Sequence, residues 1–342
     1  MQATTPVATT GPISFEAAAN RHIGRLEAIG RKRSTIQDYR SYLRNHLVPA
    51  FGQRDIKTIQ PEDIERFQES TLRRGLSRKS CLNFLGLLHG VFAYAQRQGW
   101  IETNPAALVQ KPESGGSNED IRFLNLAEID ALIRAVPDDD LGRMEAVMYR
   151  TAAMTGIRQG ECLGLRWRDV DWSAMRLRVR QSYVRGEYGK PKSKRSSRSV
   201  PLATDVAREL ERHFQSSAYQ GDGDLVFCHP HTGRPYDRSK LFKRFKKALA
   251  QAQVGQFGDK RREGRVVRVP LTRFHDLRHT FGTTCAAAGI PLRTIMEWMG
   301  HRDIKTTMIY TDYMPGEKEA EWIERAFSEQ GLQPAPDHEP AP

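Results

Sequence analysis

Apolar residues recur at helical spacing through most of the first hundred positions. Ile36, Tyr39 and Leu43 follow one another every three or four residues, which is the period of a helix with one buried face. A second series of this kind runs through residues 81–92. The pattern therefore predicts a helical domain over residues 14–110.

The composition changes sharply after this helical domain. Residues 111–120 contain proline, glycine, serine and charged residues with almost nothing apolar, which predicts a linker. A second domain should then occupy residues 121–328. Residues 1–13 and 329–342 are rich in proline and small residues, and we expect both to be disordered.

Apolar and basic residues alternate in the segment 175–184, which predicts a half-exposed strand. Residues 197–202 read as its partner, and the polar stretch between them predicts a hairpin with a long basic loop. The rest of the second domain is predicted to be mainly helical, interrupted by a basic insertion within residues 252–268, to which the sequence assigns no role. The predicted fold class is mainly α with a small antiparallel sheet.

The net charge of the chain indicates a class of binding partner. The 342 residues carry a formal net charge of +12, which favours a polyanion such as nucleic acid. No apolar run reaches membrane-spanning length and the start does not resemble a signal peptide, so we expect a soluble, cytoplasmic protein without a membrane partner. The four cysteines are widely separated, which suits a reducing compartment, and no metal-ligand pattern is evident.

Two polar segments place pairs of side chains three residues apart, where both can lie on one helix face. The segment TGIRQGE contains Arg158 and Glu161, which can form a local ion pair. The segment HDLRHT contains His275 and Arg278, which together can donate several hydrogen bonds to one phosphate. A polar helix face is the alternative interpretation of both pairs, and His279 is expected to have such a structural role.

A third segment, GHRDIKTTMIYTDY, supplies a candidate nucleophile. Gly300 permits a sharp turn, His301 follows it, and Asp303 can cap a short helix from which Tyr310 would project. Tyr313 is a nearby rival for the same role.

These three segments, in this order and with a basic hairpin between the first and the second, resemble the tyrosine recombinase (phage integrase) family. The resemblance covers roughly residues 14–325. It implies a helical, SAM-like core-binding domain followed by a catalytic domain, the two forming a C-shaped clamp on DNA.

The resemblance also implies roles for individual residues. Arg158 and Arg278 would bind the scissile phosphate, His301 would donate a further hydrogen bond, and Tyr310 would attack to form a 3′-phosphotyrosine. His275 would be the general base for the phenol.

Two further roles follow from the same resemblance. Glu161 would help to hold the site, and Lys192 best matches the lysine that protonates the leaving oxygen. Lys190 and Lys194 are competitors for that role.

No metal or cofactor is implied. The implied partners are double-stranded DNA with specific sites, three further protomers on synapsed DNA, and an accessory directionality factor. Basic residues in two places are the candidates for DNA contact: Arg73, Arg74, Arg78, Lys79, Lys190, Lys194, Arg195 and Arg198.

Several functions are compatible with these motifs. Integration or excision of a mobile element is the first hypothesis, and an alternative is a Xer-like resolvase of chromosome or plasmid dimers. A type IB topoisomerase uses similar chemistry, but the separate core-binding domain argues against it. A DNA-binding protein without catalysis is the alternative from a different class, and the complete set of polar residues argues against that.

Overall fold

The chain divides into two compact units, Met1–Glu119 and Asp120–Pro342. The computed structural model describes four ranges: residues 11–112, 121–189, 198–262 and 264–313. Outside these ranges lie most of the predicted linker, most of the two chain ends, and the predicted site residues Lys190, Lys192, Lys194 and Arg195.

The first unit is helical, as its apolar spacing predicts. The rings of Phe15 and Phe51 lie 5.6 Å apart in its core, and Phe92 packs on Phe15 at 5.9 Å. The Ser77 hydroxyl accepts a hydrogen bond from the backbone amide of Ser80, which caps the longest helix of this unit. The helices are α1 (Phe15–Ala28), α2 (Arg33–Tyr42), α3 (Val48–Phe51), α4 (Pro61–Arg73) and α5 (Arg78–Arg97), with a π-helical turn at Leu43–Leu47 and 3₁₀ turns at Ile56–Thr58 and Pro105–Ala107.

The second unit is also mainly helical. Near its centre Tyr149 packs edge to face on both Phe245 and Phe274, with ring centroids 5.1 and 6.0 Å apart. Its helices are α6 (Leu126–Arg134), α7 (Asp140–Thr155), α8 (Gln159–Gly164), α9 (Thr204–Ser216), α10 (Arg238–Ala252), α11 (Asp276–Ala287), α12 (Leu292–Met299) and α13 (Lys305–Met308), with 3₁₀ turns at Trp167–Asp169 and Thr311–Tyr313.

Small antiparallel sheets complete this unit, which confirms the predicted fold class. The predicted pairing is also present, since Arg176 on β2 lies opposite Pro201 on β5. The strands are β1 (Val170–Asp171), β2 (Arg176–Val179), β3 (Ser182–Val184), β4 (Glu187–Gly189), β5 (Arg198–Pro201), β6 (Phe257–Arg262) and β7 (Arg265–Pro270).

The prediction of one continuous strand over residues 175–184 is wrong. The strand ends at Val179, and the following residues pair with β4 in a separate hairpin. The Gln181 side chain donates a hydrogen bond of 2.7 Å to the carbonyl of Gly164. A Cβ atom on Gly164 would lie only 3.1 Å from the amide nitrogen of Tyr183, so this glycine lets the second half of the segment turn onto α8.

The basic insertion forms a β-hairpin. Six residue pairs join β6 to β7, from Phe257 opposite Pro270 to Arg262 opposite Arg265. Gly264, at the turn, has φ +78°, a conformation that favours glycine. Within the described ranges of the chain, no helix is both long and apolar enough to cross a membrane.

Candidate active site

The site begins where α7 ends. Gly156 adopts φ +64°, and a Cβ atom there would lie 2.5 Å from the Phe281 ring, so the chain turns sharply against α11. Arg158 follows as the N-cap residue of α8. Its backbone amide and its Nη1 donate to the carboxylate of Glu161 at 2.8 and 3.0 Å, and its Nη2 donates to the carbonyl of Gly300 at 3.3 Å. These contacts fix a guanidinium that remains 38% exposed.

Glu161 is buried and is shared by two arginines. Nη1 and Nη2 of Arg198 donate to its two carboxylate oxygens at 3.1 and 2.8 Å, in addition to the contacts from Arg158. Burial alone would raise the pKa of Glu161, but hydrogen bonding and charge from Arg198, with the charge of Arg158, lower it to about 2. Glu161 is therefore ionised at neutral pH and orders both guanidinium groups.

Arg198 occupies a different place from the DNA-facing position predicted for it. Its side chain is only 4% exposed, and Nε donates to the carbonyl of Trp298 at 2.5 Å. A Cβ atom on Gly300 would lie 2.9 Å from Cδ of Arg198, so the turn after α12 closes over this side chain. Since its guanidinium is already paired inside the unit, Arg198 supports the site rather than a DNA surface.

Arg278 is buried on α11 and is held by main-chain carbonyls. Nη1 donates to the carbonyl of Gly156 and Nη2 to that of Met299, both at 2.5 Å. Burial, followed by the nearby charges of Arg158 and Arg198, lowers its pKa to about 9, so it is still cationic at neutral pH. The consecutive carbonyls of Met299 and Gly300 thus hold the two predicted phosphate-binding arginines at one turn.

His301 begins the segment that follows this turn. Gly300 adopts φ +64° and ends α12, which directs His301 towards the arginines. The Nδ1 atom of His301 lies 2.8 Å from the hydroxyl of buried Thr307. Burial and then the charges of Arg278 and Arg158 lower the pKa of His301 to about 3, so the imidazole is neutral at pH 7.

Tyr310 is almost completely buried, with 1% of its surface exposed. Its phenol oxygen lies 3.0 Å from Nδ1 of His279. A Cβ atom on Gly282 would lie 2.5 Å from Cε2 of the tyrosine ring, so the ring rests directly on the backbone of α11. Burial raises the pKa of Tyr310 to about 12, against the opposing charge of Arg278.

The two histidines of α11 lie side by side. The ring of His275 meets that of His279 edge to face, with centroids 5.4 Å apart. Partial burial, with the charges of His279 and Arg278, lowers the pKa of His275 to about 4, and burial also lowers the pKa of His279. The histidine in contact with the phenol is His279, to which the sequence had given only a structural role. Its position four residues after His275, on the same helix face, was the available signal.

The other predicted residues lie elsewhere or are not described. Tyr313 packs edge to face against Phe123 with ring centroids 5.3 Å apart, whereas the ring of Tyr310 rests on α11. Lys192 lies outside the described residues. In the first unit, exposed cations occupy the end of α4 and the start of α5, where Arg73 also lies 3.4 Å from Glu69: these are Arg73, Arg74, Arg78 and Lys79.

The described residues of the site therefore combine three guanidinium groups with one carboxylate, neutral histidines and a protonated phenol. Such an arrangement is suited to bind a phosphate, and it keeps a phenol close enough to Arg278 for the charge of that arginine to act on it. Among the residues that the structure describes, no group of three or more histidine, cysteine or acidic side chains is placed to hold a metal ion.

Comparisons with known proteins agree with this chemistry. Residues 122–316 match the model of the phage integrase family, and residues 28–72 match an N-terminal SAM-like domain of phage integrases. A tyrosine recombinase XerC-like protein of Caldanaerobacter subterraneus is 28% identical over 85% of this chain and 77% of its own length. The ICEBs1 integrase of Bacillus subtilis is 24% identical over 92% of this chain and 82% of its own.

Solved structures share the fold. The Tn1549 transposon integrase in complex with transposon right end DNA has a TM-score of 0.69 at 20% identity, covering 92% of this chain and 99% of that one. A lambda integrase dimer bound to a core site has a TM-score of 0.66 at 16% identity, covering 88% and 96% of the two chains.

Proposed function

Since this chain belongs to the phage integrase family of tyrosine recombinases, which cleave and rejoin DNA strands, we propose that Tyr310 is its nucleophile. The observation that carries the proposal is the convergence of Arg158, Arg278 and His301 on one turn, with Tyr310 ten residues further along the same segment. Together these groups can bind and attack a phosphodiester.

The two arginines bind the scissile phosphate. Attack by an alcohol places negative charge on the non-bridging oxygens, and planar guanidinium groups can donate paired hydrogen bonds to them. Arg158 is partly exposed and already oriented by Glu161, so it can meet the DNA without reorganisation. The ring of His301 donates a further hydrogen bond.

The phenol proton passes first to His279. With its raised pKa, Tyr310 is protonated at neutral pH and donates to Nδ1 of His279. Because burial lowers the pKa of His279, its imidazole is neutral and can accept that proton. His275, beside it, was predicted as the base and is close enough to influence the same transfer through its ring.

DNA binding must also uncover the nucleophile. At 1% exposure Tyr310 cannot reach a phosphate, so the segment from His301 to Tyr310 shifts when DNA enters. That segment contains only the single helical turn of α13, and a helix this short depends on its surroundings for stability.

The remaining steps conserve the energy of the broken bond. Attack by the phenol oxygen forms a 3′-phosphotyrosine and releases a 5′-oxygen, to which Lys192 gives a proton. The 5′-hydroxyl of another strand then attacks the phosphotyrosine, which restores a phosphodiester and frees Tyr310. Two duplexes exchange all four strands when four protomers assemble on them.

The biological reaction is integration or excision of a mobile element. The relatives include the ICEBs1 integrase and a prophage phiRv2 integrase of Mycobacterium tuberculosis, the latter 28% identical over 84% of this chain. The second candidate is resolution of DNA dimers, which the XerC relatives favour, among them one of Xanthomonas campestris at 28% identity over 90% of this chain. Recombination between two unlike sites supports the first reaction, and recombination restricted to identical sites supports the second. A directionality factor would bias the first reaction towards excision.

A nicked suicide substrate tests the nucleophile directly. We expect the wild type to form a covalent protein–DNA complex on it, and Tyr310→Phe to bind the same DNA without forming one. Tyr313→Phe is the matched control and should still form the complex. A covalent complex with Tyr310→Phe would contradict the proposal and move the nucleophile to another residue.

A further inference from the structure

The hairpin of β6 and β7 is a basic ribbon that the described residues leave uncovered. Residues 257–270 contain five lysines and arginines but only two acidic residues. Val266 and Val267 are 62% and 40% exposed, unusual values for β-branched apolar residues. Within the described ranges, no ion pair neutralises the exposed cations of this ribbon, which are Lys260, Arg261, Arg265 and Arg268.

The strand register places these cations on both faces of the ribbon. Side chains alternate along a strand, and residues directly opposite each other share a face. Arg261 therefore shares one face with Val266, while Lys260 shares the other with Val267. Arg268 lies on the first face, its guanidinium 5.5 Å from the centre of the Phe257 ring. Each face thus presents positive charge and one exposed valine, and neither face is apolar throughout.

The base of the ribbon is firmly attached to the second unit. Nζ of Lys246 on α10 donates to the carbonyls of Pro270 and Thr272 at 2.6 and 2.7 Å. The amide of Leu271 donates to the carbonyl of Gln256 at 2.7 Å. Only four residues separate the end of β7 from His275, so the ribbon projects from the chain segment that leads into the active site.

We propose that this ribbon enters the major groove of the DNA duplex next to the cleavage point and contacts phosphates of both strands. This inference rests on the proposed function, because it takes the substrate duplex as the partner. The major groove is wide enough for a two-stranded β-ribbon, and its two walls are lined with phosphates. Cations on both faces of the ribbon match the two phosphate walls, whereas the core of a protein–protein interface is depleted of charged residues such as lysine.

The two exposed valines are also suited to contact DNA in the major groove. A ribbon between two phosphate walls presents its side chains to base edges as well as to the backbone. Apolar side chains can contact the methyl groups of thymines in the major groove. Val266 and Val267 can therefore contribute to base preference, while the cations contribute affinity that depends on salt.

Salt-dependent DNA binding tests the proposal in the Tyr310→Phe background, where no covalent complex interferes. The test variant carries Lys260→Gln, Arg261→Gln, Arg265→Gln and Arg268→Gln. Its matched control exchanges lysine and arginine at the same four positions and so retains the charge. Thermal unfolding of both variants checks that the second unit remains folded.

We expect the logarithm of the binding constant of the glutamine variant to depend less steeply on the logarithm of salt concentration. The decrease in slope should be about 0.9 for each lost phosphate contact, or about 3.6 if all four cations bind phosphates. The charge-retaining control should keep the wild-type slope. Methylation protection of guanine N7, which lies in the major groove, should be lost beside the cleavage point only in the glutamine variant.

Two results would overturn the proposal. One is an unchanged slope together with unchanged N7 protection. The other is an unchanged salt dependence for the binding of a single protomer, combined with the loss of larger protein assemblies on DNA. That result would show that the ribbon contacts a second copy of the chain. The cleavage chemistry is measured separately. For this, the four glutamine substitutions are made in the chain that retains Tyr310, and covalent protein–DNA complex is measured at saturating protein concentration. The ribbon can therefore fail its test while the proposed function stands.

Discussion

Replacement of Glu161 by glutamine tests how strongly the buried carboxylate stabilises the site. Glutamine keeps the size of the side chain but removes the charge that Arg158 and Arg198 share. The pKa of Glu161 falls from an ordinary 4.5 to about 2. At about 1.4 kcal/mol for each pKa unit, the ionised carboxylate stabilises the folded unit by about 3 kcal/mol at neutral pH.

This stabilisation should depend on pH with a defined sign. The pKa of Glu161 in the folded chain lies below its value in the unfolded chain, so the stabilisation is complete above about pH 5 and is lost as pH falls towards 2. The free energy of unfolding of Glu161→Gln should therefore lie about 3 kcal/mol below that of the wild type at pH 7. At pH 3 the difference should narrow to about half of that value, because the folded chain then holds only part of the carboxylate's stabilisation.

The measurement is urea unfolding followed by hydrogen exchange on peptides from α8 and α11, which reports on the second unit alone. Glu297→Gln is the matched control, because Glu297 is 60% exposed and, among the described residues, forms its ion pair with Arg293 on the same helix at 3.4 Å. That variant should lose less than about 0.5 kcal/mol. An equal loss for the two variants, or a Glu161→Gln difference that does not narrow at pH 3, would refute the assigned role of the buried carboxylate.

Three further changes have defined outcomes. Gly282→Ala should displace the ring of Tyr310 and speed its nitration by tetranitromethane. Gly86→Ala, whose added methyl would meet no atom within 4 Å beyond its own stretch of helix, should leave nitration unchanged, and equal rates for the two variants would show that the ring does not rest on α11. His279→Phe should slow covalent complex formation at neutral pH without weakening DNA binding, and its rate should recover as pH rises and the phenol ionises. His279→Gln should be faster than His279→Phe, because glutamine can still accept a hydrogen bond from the phenol. Unchanged rates in both variants would exclude the proposed proton transfer. Lys192→Ala should slow cleavage of ordinary DNA but not of DNA with a 5′-phosphorothiolate, whose leaving group needs no proton, and failure of that rescue would assign the acid to another residue.

Local patterns were enough to predict the helices and the main contacts of the first arginine. Arg158 and Glu161 were expected to pair because they lie three residues apart, and they do so at 3.0 Å. The fold class followed from apolar spacing, since period and length distinguish long helices from short strands. Both predictions depend on neighbours within one turn, which a sequence displays directly.

Contacts between distant segments were less accessible. Arg198 looked like one more cation of a basic loop, yet it pairs with Glu161, 37 residues earlier in the chain. His279 meets Tyr310 across 31 residues, a distance that no local pattern encodes. The hairpin of residues 257–270 was missed as a fold element because its strands are mostly exposed and carry little of the apolar alternation that marks a strand.

Besides the carboxylate of Glu161, the acceptors that hold Arg278 and Arg158 are the peptide carbonyls of Gly156, Met299 and Gly300. A peptide carbonyl is present whatever side chain its residue bears, so no exchange at position 299 deletes an acceptor. Libraries that diversify this neighbourhood to retarget the enzyme can therefore exchange Met299 for other apolar side chains of similar size, since its own side chain is completely buried in the core. The two glycines, whose φ values of +64° aim those carbonyls, are the positions that such a library should leave fixed.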